Sequence, residues 1–267
     1  MSAPSTIDGF QGWSDVRLVG RQVRYEQLSF WLNPMAAAFT VGFSVVFLIL
    51  LGASEGSSRI AFYGNIKLIQ YYVPGFVAYG VMAACFNILA VTLVNRREMG
   101  LLKRLRLSPL PTWALLAAIL VSSMVIAAIQ VVVLLAVGRL GFGVHFPGNP
   151  AAFLLAVVVG MLSFTALGVA MSTVVPNQDA AGPIVSIVFF VLLFLSGLWF
   201  PLSPRSGLAQ FSAYFPVHHF ITAVFAPFDI QKGASPWAWH DLLVVALWGV
   251  AGAAVAVRRW QWSPRRG

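Results

Sequence analysis

Apolar and polar positions alternate along this chain in long blocks. Apolar runs cover Met35 to Gly52, Tyr71 to Val94, Trp113 to Val137, Ala151 to Val175, about Ala180 to Phe200, and Leu242 to Val257, and none of their interiors carries Asp, Glu, Lys or Arg. Each is close to the ~20 residues that take a helix across a bilayer. The pattern predicts an all-α membrane protein with six transmembrane helices. Ahead of them, Trp13, Val16, Val19, Val23, Leu28 and Trp31 follow loose helical spacing while Arg17, Arg21, Arg24 and Glu26 fall mostly on other faces. That is the signature of an amphipathic helix lying at the interface, although a solvated lead-in with some helix also fits. Pro34 separates it from the first span. The stretch 201–241 is too polar to cross as one helix, yet it holds Phe211, Tyr214, Phe215, Phe220, Phe225 and Phe228. The organisation expected is a cytoplasmic N-terminus over 1–34, a transmembrane domain over 35–257 and a basic tail over 258–267.

Composition strengthens the membrane reading. Of the 267 residues 59% are hydrophobic and 9% charged, and the mean hydropathy is +0.84. A soluble domain carries about 25% charged residues, so the apolar excess here has to face lipid. The net charge of +9 would suggest nucleic acid in a soluble protein, but no basic stretch interleaved with aromatics accompanies it, and no nucleic-acid partner is expected. Instead the basic residues report topology. With the amino terminus inside, twelve of the seventeen lie on the cytoplasmic side, at 17–24, 96–106 and 258–266. The bias places both termini in the cytoplasm of a multi-pass plasma-membrane protein, with Tyr71 and Tyr72 in the outer aromatic belt. Gly249, Gly252, Ala253 and Ala256 suit close helix packing.

Chemistry is sparse. There is no phosphate-binding Gly-Lys sequence, so no ATP hydrolysis by this chain is expected. His218 and His219 are adjacent, but no carboxylate stands at ligand spacing beside them. No metal site is expected, and a structural pair suits them better than a proton or metal role. No serine is accompanied by a His and Asp grouping, and no catalytic residue is expected. Cys85 is a lone thiol in an apolar run, suited to packing. The spans offer only neutral polar residues, among them Asn87, Thr92, Gln130, Ser186 and Ser196, as substrate contacts or as hydrogen-bonding glue between helices.

The segment that stands out runs from Asn95 to Pro111. Five of the seventeen basic residues fall within it, and Met99, Leu101, Leu102 and Leu105 share one side of a short helix that Pro109 and Pro111 stop. From composition, an ordinary positive-inside loop at anionic lipid headgroups fits equally. Its sequence, with Arg96, Arg97, Glu98, Gly100, Leu102, Lys103, Arg104, Leu105, Arg106, Ser108, Pro109 and Leu110, resembles the signature between the second and third spans of type-2 ATP-binding-cassette exporter permeases. Leu101 stands where that pattern has Thr. Further likenesses are the Pro176 to Pro183 turn, the exit from Phe194 through Leu198 and Phe200 to Pro201, and Phe215, Pro216, Val217 and His218. The subclass most similar is the daunorubicin-resistance-like drug permeases.

The resemblance implies that 96–111 is a coupling helix docking on a separate ATPase subunit through Arg96, Arg97, Glu98, Gly100, Lys103, Arg104 and Arg106. It implies that Arg17, Arg21 and Arg24 belong to an interfacial helix, and that 201–241 forms re-entrant outer helices including Phe215, Pro216 and His218. Two permeases, identical or different, would pair with two ATPases. ATP and Mg would bind the partner, and no cofactor this chain. A pathway between the permeases would be lined from the first, second and fifth spans, with Asn87, Thr92 and Ser186 in it and Phe194, Leu198 and Phe200 as an outer gate. The expected cargo is hydrophobic or amphipathic: a drug, an antibiotic or a lipid-like compound. Export of a lipid-linked polysaccharide or glycolipid is the alternative, and a membrane scaffold or lipid-modifying enzyme fits less well.

Overall fold

The computed structural model describes residues 13–54, 57–60, 66–99, 112–198, 207–228 and 235–260. The chain is an all-α membrane protein. With no water in a bilayer core to satisfy peptide groups, apolar segments must close their hydrogen bonds within themselves. Five described helices are long and apolar enough to cross a membrane, and a shorter apolar one spans Thr40–Ser54.

Helix α1, Trp13–Trp31, precedes the first apolar segment, in which a short helix at Pro34–Ala37 leads through a π-helical turn at Ala38–Gly42 into α2, Phe43–Ser54. Two short antiparallel strands, β1 at Arg59–Ile60 and β2 at Ile66–Lys67, follow. The sequence pattern gave no sign of them. Helix α3, Leu68–Glu98, is interrupted by a second π-helical turn at Ala83–Ile88. Then come α4, Thr112–Phe142; α5, Pro150–Val174; and α6, Gln178–Leu195. Two short helices, α7 at Gly207–Ser212 and α8 at Pro216–Phe225, precede α9, Trp239–Arg259. Asparagine side chains start two of the long helices: Asn149 Oδ1 accepts from Ala152 N–H at 3.0 Å, and Asn177 Oδ1 from Ala180 N–H at 2.9 Å. Each satisfies an amide that the first turn leaves open.

Helix α3 is the central one. Phe76, Val77, Val81 and Met82 are fully buried, because α2, α4, α5 and α8 all pack on it. Tyr71 and Tyr72 therefore point into the protein, not into a lipid-facing belt. The Tyr71 hydroxyl donates to the Gly197 carbonyl at 2.7 Å, an interior bond that the run of apolar neighbours could not disclose. The second apolar segment also continues past Val94 to Glu98, whereas the fifth ends at Leu195.

Contacts fix the helix directions. Val73 meets Gly138, and Gly80 meets Gln130, so α4 runs antiparallel to α3. Gly249 lies against Ser163 and Gly252 against Leu167, so α5 and α9 run parallel. Their missing β-carbons let the two backbones approach, as small residues do between membrane helices. Ala256 is buried on the same side, but Ala253 is exposed, a quarter-turn off the seam. Arg97 on α3 reaches the carboxyl end of α5. The last turns of α3, α5 and α9 thus share one end of the bundle, and α8 lies at the other.

Candidate functional site

The last turn of α3 places Arg96, Arg97 and Glu98 in three different situations. Arg97 is 4% exposed. Its Nη1 donates to the Ser172 carbonyl at 3.0 Å and its Nη2 to the Val175 carbonyl at 2.8 Å, while Nε donates to Glu98 Oε1 at 2.7 Å. Carbonyls in the last turn of a helix have no intrahelical donor, and a cation there also meets the negative end of the helix dipole. Arg97 and Glu98, expected as docking contacts, therefore spend their hydrogen bonds inside the chain, clamping α3 to the end of α5. Gly100, Lys103, Arg104 and Arg106 lie outside the described residues.

Arg96 points the other way. It meets Glu26 of α1 in a two-bond fork, Nη1 to Oε1 at 2.8 Å and Nη2 to Oε2 at 2.6 Å, and both side chains are largely covered. One residue on, Gln27 Nε2 donates to the Ser122 hydroxyl at 2.8 Å and to its carbonyl at 2.9 Å. Helix α1 is thus strapped to α3 and α4. Its inward face carries Val19, Gln22, Val23, Glu26, Gln27 and Phe30, whereas Val16, Leu28 and Trp31, expected on the apolar stripe with Val19 and Val23, are exposed. Arg17, Arg21 and Arg24 are exposed as well. Glu26→Ala should weaken α1 docking by about 1.5–3 kcal/mol, the range for hydrogen bonds to charged groups. Protease accessibility of α1 should rise in the single mutant and fall back in the exchange Glu26→Arg with Arg96→Glu. No rescue by the exchange would mean the fork does not hold α1.

Beneath this fork, α1, the π-helical turn of α3 and α4 enclose a half-open cavity of about 310 Å³. Its lining mixes the charged pair Glu26 and Arg96 and polar groups such as Asn33, Thr92 and Ser122 with the apolar side chains of Ile88, Leu89, Ile119 and Ile126. The size falls at the lower bound of small-molecule sites. Such a lining offers both hydrogen bonds and apolar contact to an amphipathic molecule.

Of the residues expected along a pathway, only Thr92 lines this cavity. Asn87 and Ser186 are half-buried elsewhere, on α3 and α6. Gln130 and Ser196 are packing groups: Gln130 is fully buried and donates to the Thr40 carbonyl at 3.2 Å and to Ser44 Oγ at 2.7 Å, and the Ser196 hydroxyl bonds to the Leu193 carbonyl. Leu198, expected at an outer gate, is 1% exposed and lies directly over Gly75. The turn that carries it uses Gly197 at φ 76°, folding the chain back onto α3. Phe194 is exposed on α6, and Phe200 lies outside the described residues.

At the opposite end, Pro216 starts α8 after Phe215. Burial and the neighbouring His219 lower the His218 pKa below the usual imidazole value, and His218 Nδ1 lies 3.2 Å from the Ser212 hydroxyl, which itself donates to the Ala209 carbonyl at 2.8 Å. His219 is buried, with Nδ1 2.6 Å from Asp241 Oδ1 and Nε2 2.9 Å from the Ala213 carbonyl. The expectation of no metal site rested on the lack of a nearby carboxylate in sequence. The packing of α8 on α9 brings Asp241 in from 22 residues away, and His240 with it, so that His219, His240 and Asp241 each present a ligand atom within 4.8 Å of the others. One spacing on the chain does match a catalytic motif: Gly52-Ala53-Ser54-Glu55-Gly56 has the pattern Gly-x-Ser-x-Gly. Ser54, however, ends a helix and its hydroxyl faces the Leu51 carbonyl, where a nucleophile elbow needs a strand-to-helix turn.

Comparison with known proteins adds the family context. Residues 36–258 match the family described as ABC-2 family transporter protein. The chain is 25% identical over 198 residues to the probable multidrug ABC transporter permease YbhR of Escherichia coli K12, covering 73% of this chain and 54% of that protein. It is 25% identical over 180 residues to the putative transport permease YvfS of Bacillus subtilis, covering 66% of this chain and 70% of that protein. Against the ABC transporter G family member 20 of Dictyostelium discoideum it is 29% identical over 153 residues, 57% of this chain and 20% of that one. The aligned part spans about half the length of YbhR.

Proposed function

The chain belongs to the ABC-2 family of transporter proteins, and from that premise we propose that it is the membrane-spanning subunit of an ATP-driven exporter for hydrophobic or amphipathic compounds. The observation that supports this cargo class is the cavity under Arg96 and Glu26, whose lining combines charged and hydroxyl side chains with aliphatic ones. The multidrug designation of YbhR points the same way and favours drug-like compounds over a glycolipid.

In this reading six segments cross the cell membrane, with both termini and the end of α3 on the cytoplasmic side and α7 and α8 re-entrant at the outer face. A separate ATPase subunit binds ATP and Mg, and this chain catalyses nothing by itself. The ATPase docks on the segment after Glu98 through Lys103, Arg104 and Arg106, because charges at an interface set orientation and specificity. Arg97, Glu98 and Arg96 anchor the base of that segment, so that its movement reaches α5 and α1. A second permease copy packs on the exposed apolar face of α6 formed by Ile187, Phe190, Val191 and Phe194.

The test is co-reconstitution with the ATPase in vesicles, following ATP-dependent movement of a fluorescent amphipathic probe. Thr92→Trp fills the cavity and should cut probe transport by roughly tenfold or more, about 1.4 kcal/mol or above in transition-state terms, while the ATPase still co-purifies. The pair Lys103→Glu with Arg104→Glu should abolish co-purification instead. Undiminished transport by the Thr92 variant would remove the cavity from the pathway. Retained ATPase stimulation and export in the charge-reversed variant would overturn the docking assignment.

A further inference from the structure

We propose that His219, His240 and Asp241 form a binding site for a divalent transition-metal cation of the zinc class, which staples α8 to the first turn of α9. The carrying observation is a proton count. The Ala213 carbonyl can only accept, so His219 Nε2, 2.9 Å from it, must donate. In the neutral ring that leaves Nδ1 as a bare lone pair, and it faces a carboxylate oxygen at 2.6 Å. Two lone pairs do not approach so closely unless a cation sits between them, either a proton or a metal ion.

A backbone carbonyl that fixes the far nitrogen of an imidazole, leaving the near one free, is the usual support of a metal-binding histidine. His240 supplies what a simple imidazolium–carboxylate pair does not require: a second imidazole, its ring centroid 5.7 Å from that of His219 and its ligand nitrogen within 4.8 Å of both other ligand atoms. Ligands around zinc at about 2.0–2.1 Å stand about 3.3 Å apart, so the gap between His219 and Asp241 needs to open by less than about 1 Å. His240 is exposed and can swing to close the third position. Two imidazoles and one carboxylate suit zinc, nickel or cobalt better than magnesium or calcium, which prefer oxygen ligands. The backbone also favours the cluster: Ala238, immediately before α9, has φ 41°, the only positive value at a non-glycine among the described residues, and it turns His240 and Asp241 toward α8. The site lies at the end of the bundle remote from Arg97, and it does not depend on the proposed transport.

The experiment uses the full chain without a histidine tag in mild detergent, stripped with a chelator and titrated with Zn2+ alone or Co2+ alone. The expected results are one Zn2+ retained per chain after desalting, visible cobalt absorption of a four-coordinate site, and a Tm that rises with Zn2+. His240→Ala, at an exposed position, should leave the fold intact and weaken binding roughly tenfold or more, as ligand-sphere losses do. Asp241→Asn should do the same, whereas Cys85→Ala and His145→Ala should bind as the parent does. Absence of stoichiometric metal, or binding unchanged in both His240→Ala and Asp241→Asn, would overturn the site and leave a proton as the shared cation.

Discussion

Arg97→Met should destabilise the protein by about 3–5 kcal/mol, the cost of removing one partner from a buried, hydrogen-bonded ion pair. Three acceptors lose their donor at once: Glu98 Oε1 and the carbonyls of Ser172 and Val175. With Glu98 only 12% exposed at its side chain, its charge is left without compensation in surroundings that water scarcely reaches. Arg97→Lys should recover little, because one ammonium group cannot span the fork that a guanidinium makes. Adding Glu98→Gln to Arg97→Met should recover part of the loss, since it removes the stranded charge. Thermal or denaturant unfolding in detergent measures all of these. A loss below about 1 kcal/mol for Arg97→Met would mean that solvent, not α5, holds the guanidinium, since exposed pairs contribute that little.

Gly168→Val should be the most damaging glycine substitution, at about 3 kcal/mol, the upper part of the range for overpacking a filled interior. A β-carbon at Gly168 would lie 2.7 Å from the Cys85 carbonyl oxygen and 3.1 Å from Phe86 Cα. Both are backbone atoms of the π-helical turn in α3, so no rotamer change relieves the clash. At Gly160 the obstruction is the end of the Phe220 ring, a side chain and not backbone. Gly20 provides the control. Nothing lies within 4 Å of its missing β-carbon, and Gly20→Ala in the middle of α1 should stabilise by up to about 1 kcal/mol through helix propensity alone. Equal Tm values for the Gly168 and Gly20 variants would show that α5 and the π-helical turn do not touch as described.

The long helices were legible because lipid imposes one requirement, an unbroken apolar run of membrane length, and hydropathy reads it directly. Helices α4, α5 and α9 begin or end within a few residues of their apolar runs. The two π-helical turns were not legible, since an extra residue in a helical turn leaves hydropathy unchanged and is marked only by what packs on it, here Gly168 and Gln130. The neighbours Arg96 and Arg97 illustrate a second limit. They are chemically identical in sequence, yet one residue of helical rotation sends one to Glu26 of α1 and the other under the end of α5. Composition showed a basic segment but not which of its charges are already used. The His219 and Asp241 pair marks a third limit, because ligand spacing is a local signal and this pair is made by two different helices. Thr92 and Arg96 of the cavity lining were singled out from sequence, whereas Glu26 and Ser29 come from α1, which the pattern placed apart at the membrane surface.

Helix α5 is held at both extremities. At one, Arg97 grips its final carbonyls; at the other, Phe153 stacks edge-on against Phe228 at 5.6 Å, and the Gly148 amide, just ahead of it, donates to the Pro227 carbonyl at 2.8 Å. Between these lie 25 residues of helix, about 37 Å at the standard rise. Such a rod resists stretching far better than bending, so it works as a tie-rod between distant fittings. An axial displacement at the guanidinium would be carried along α5 toward Phe228 for as long as both fittings hold.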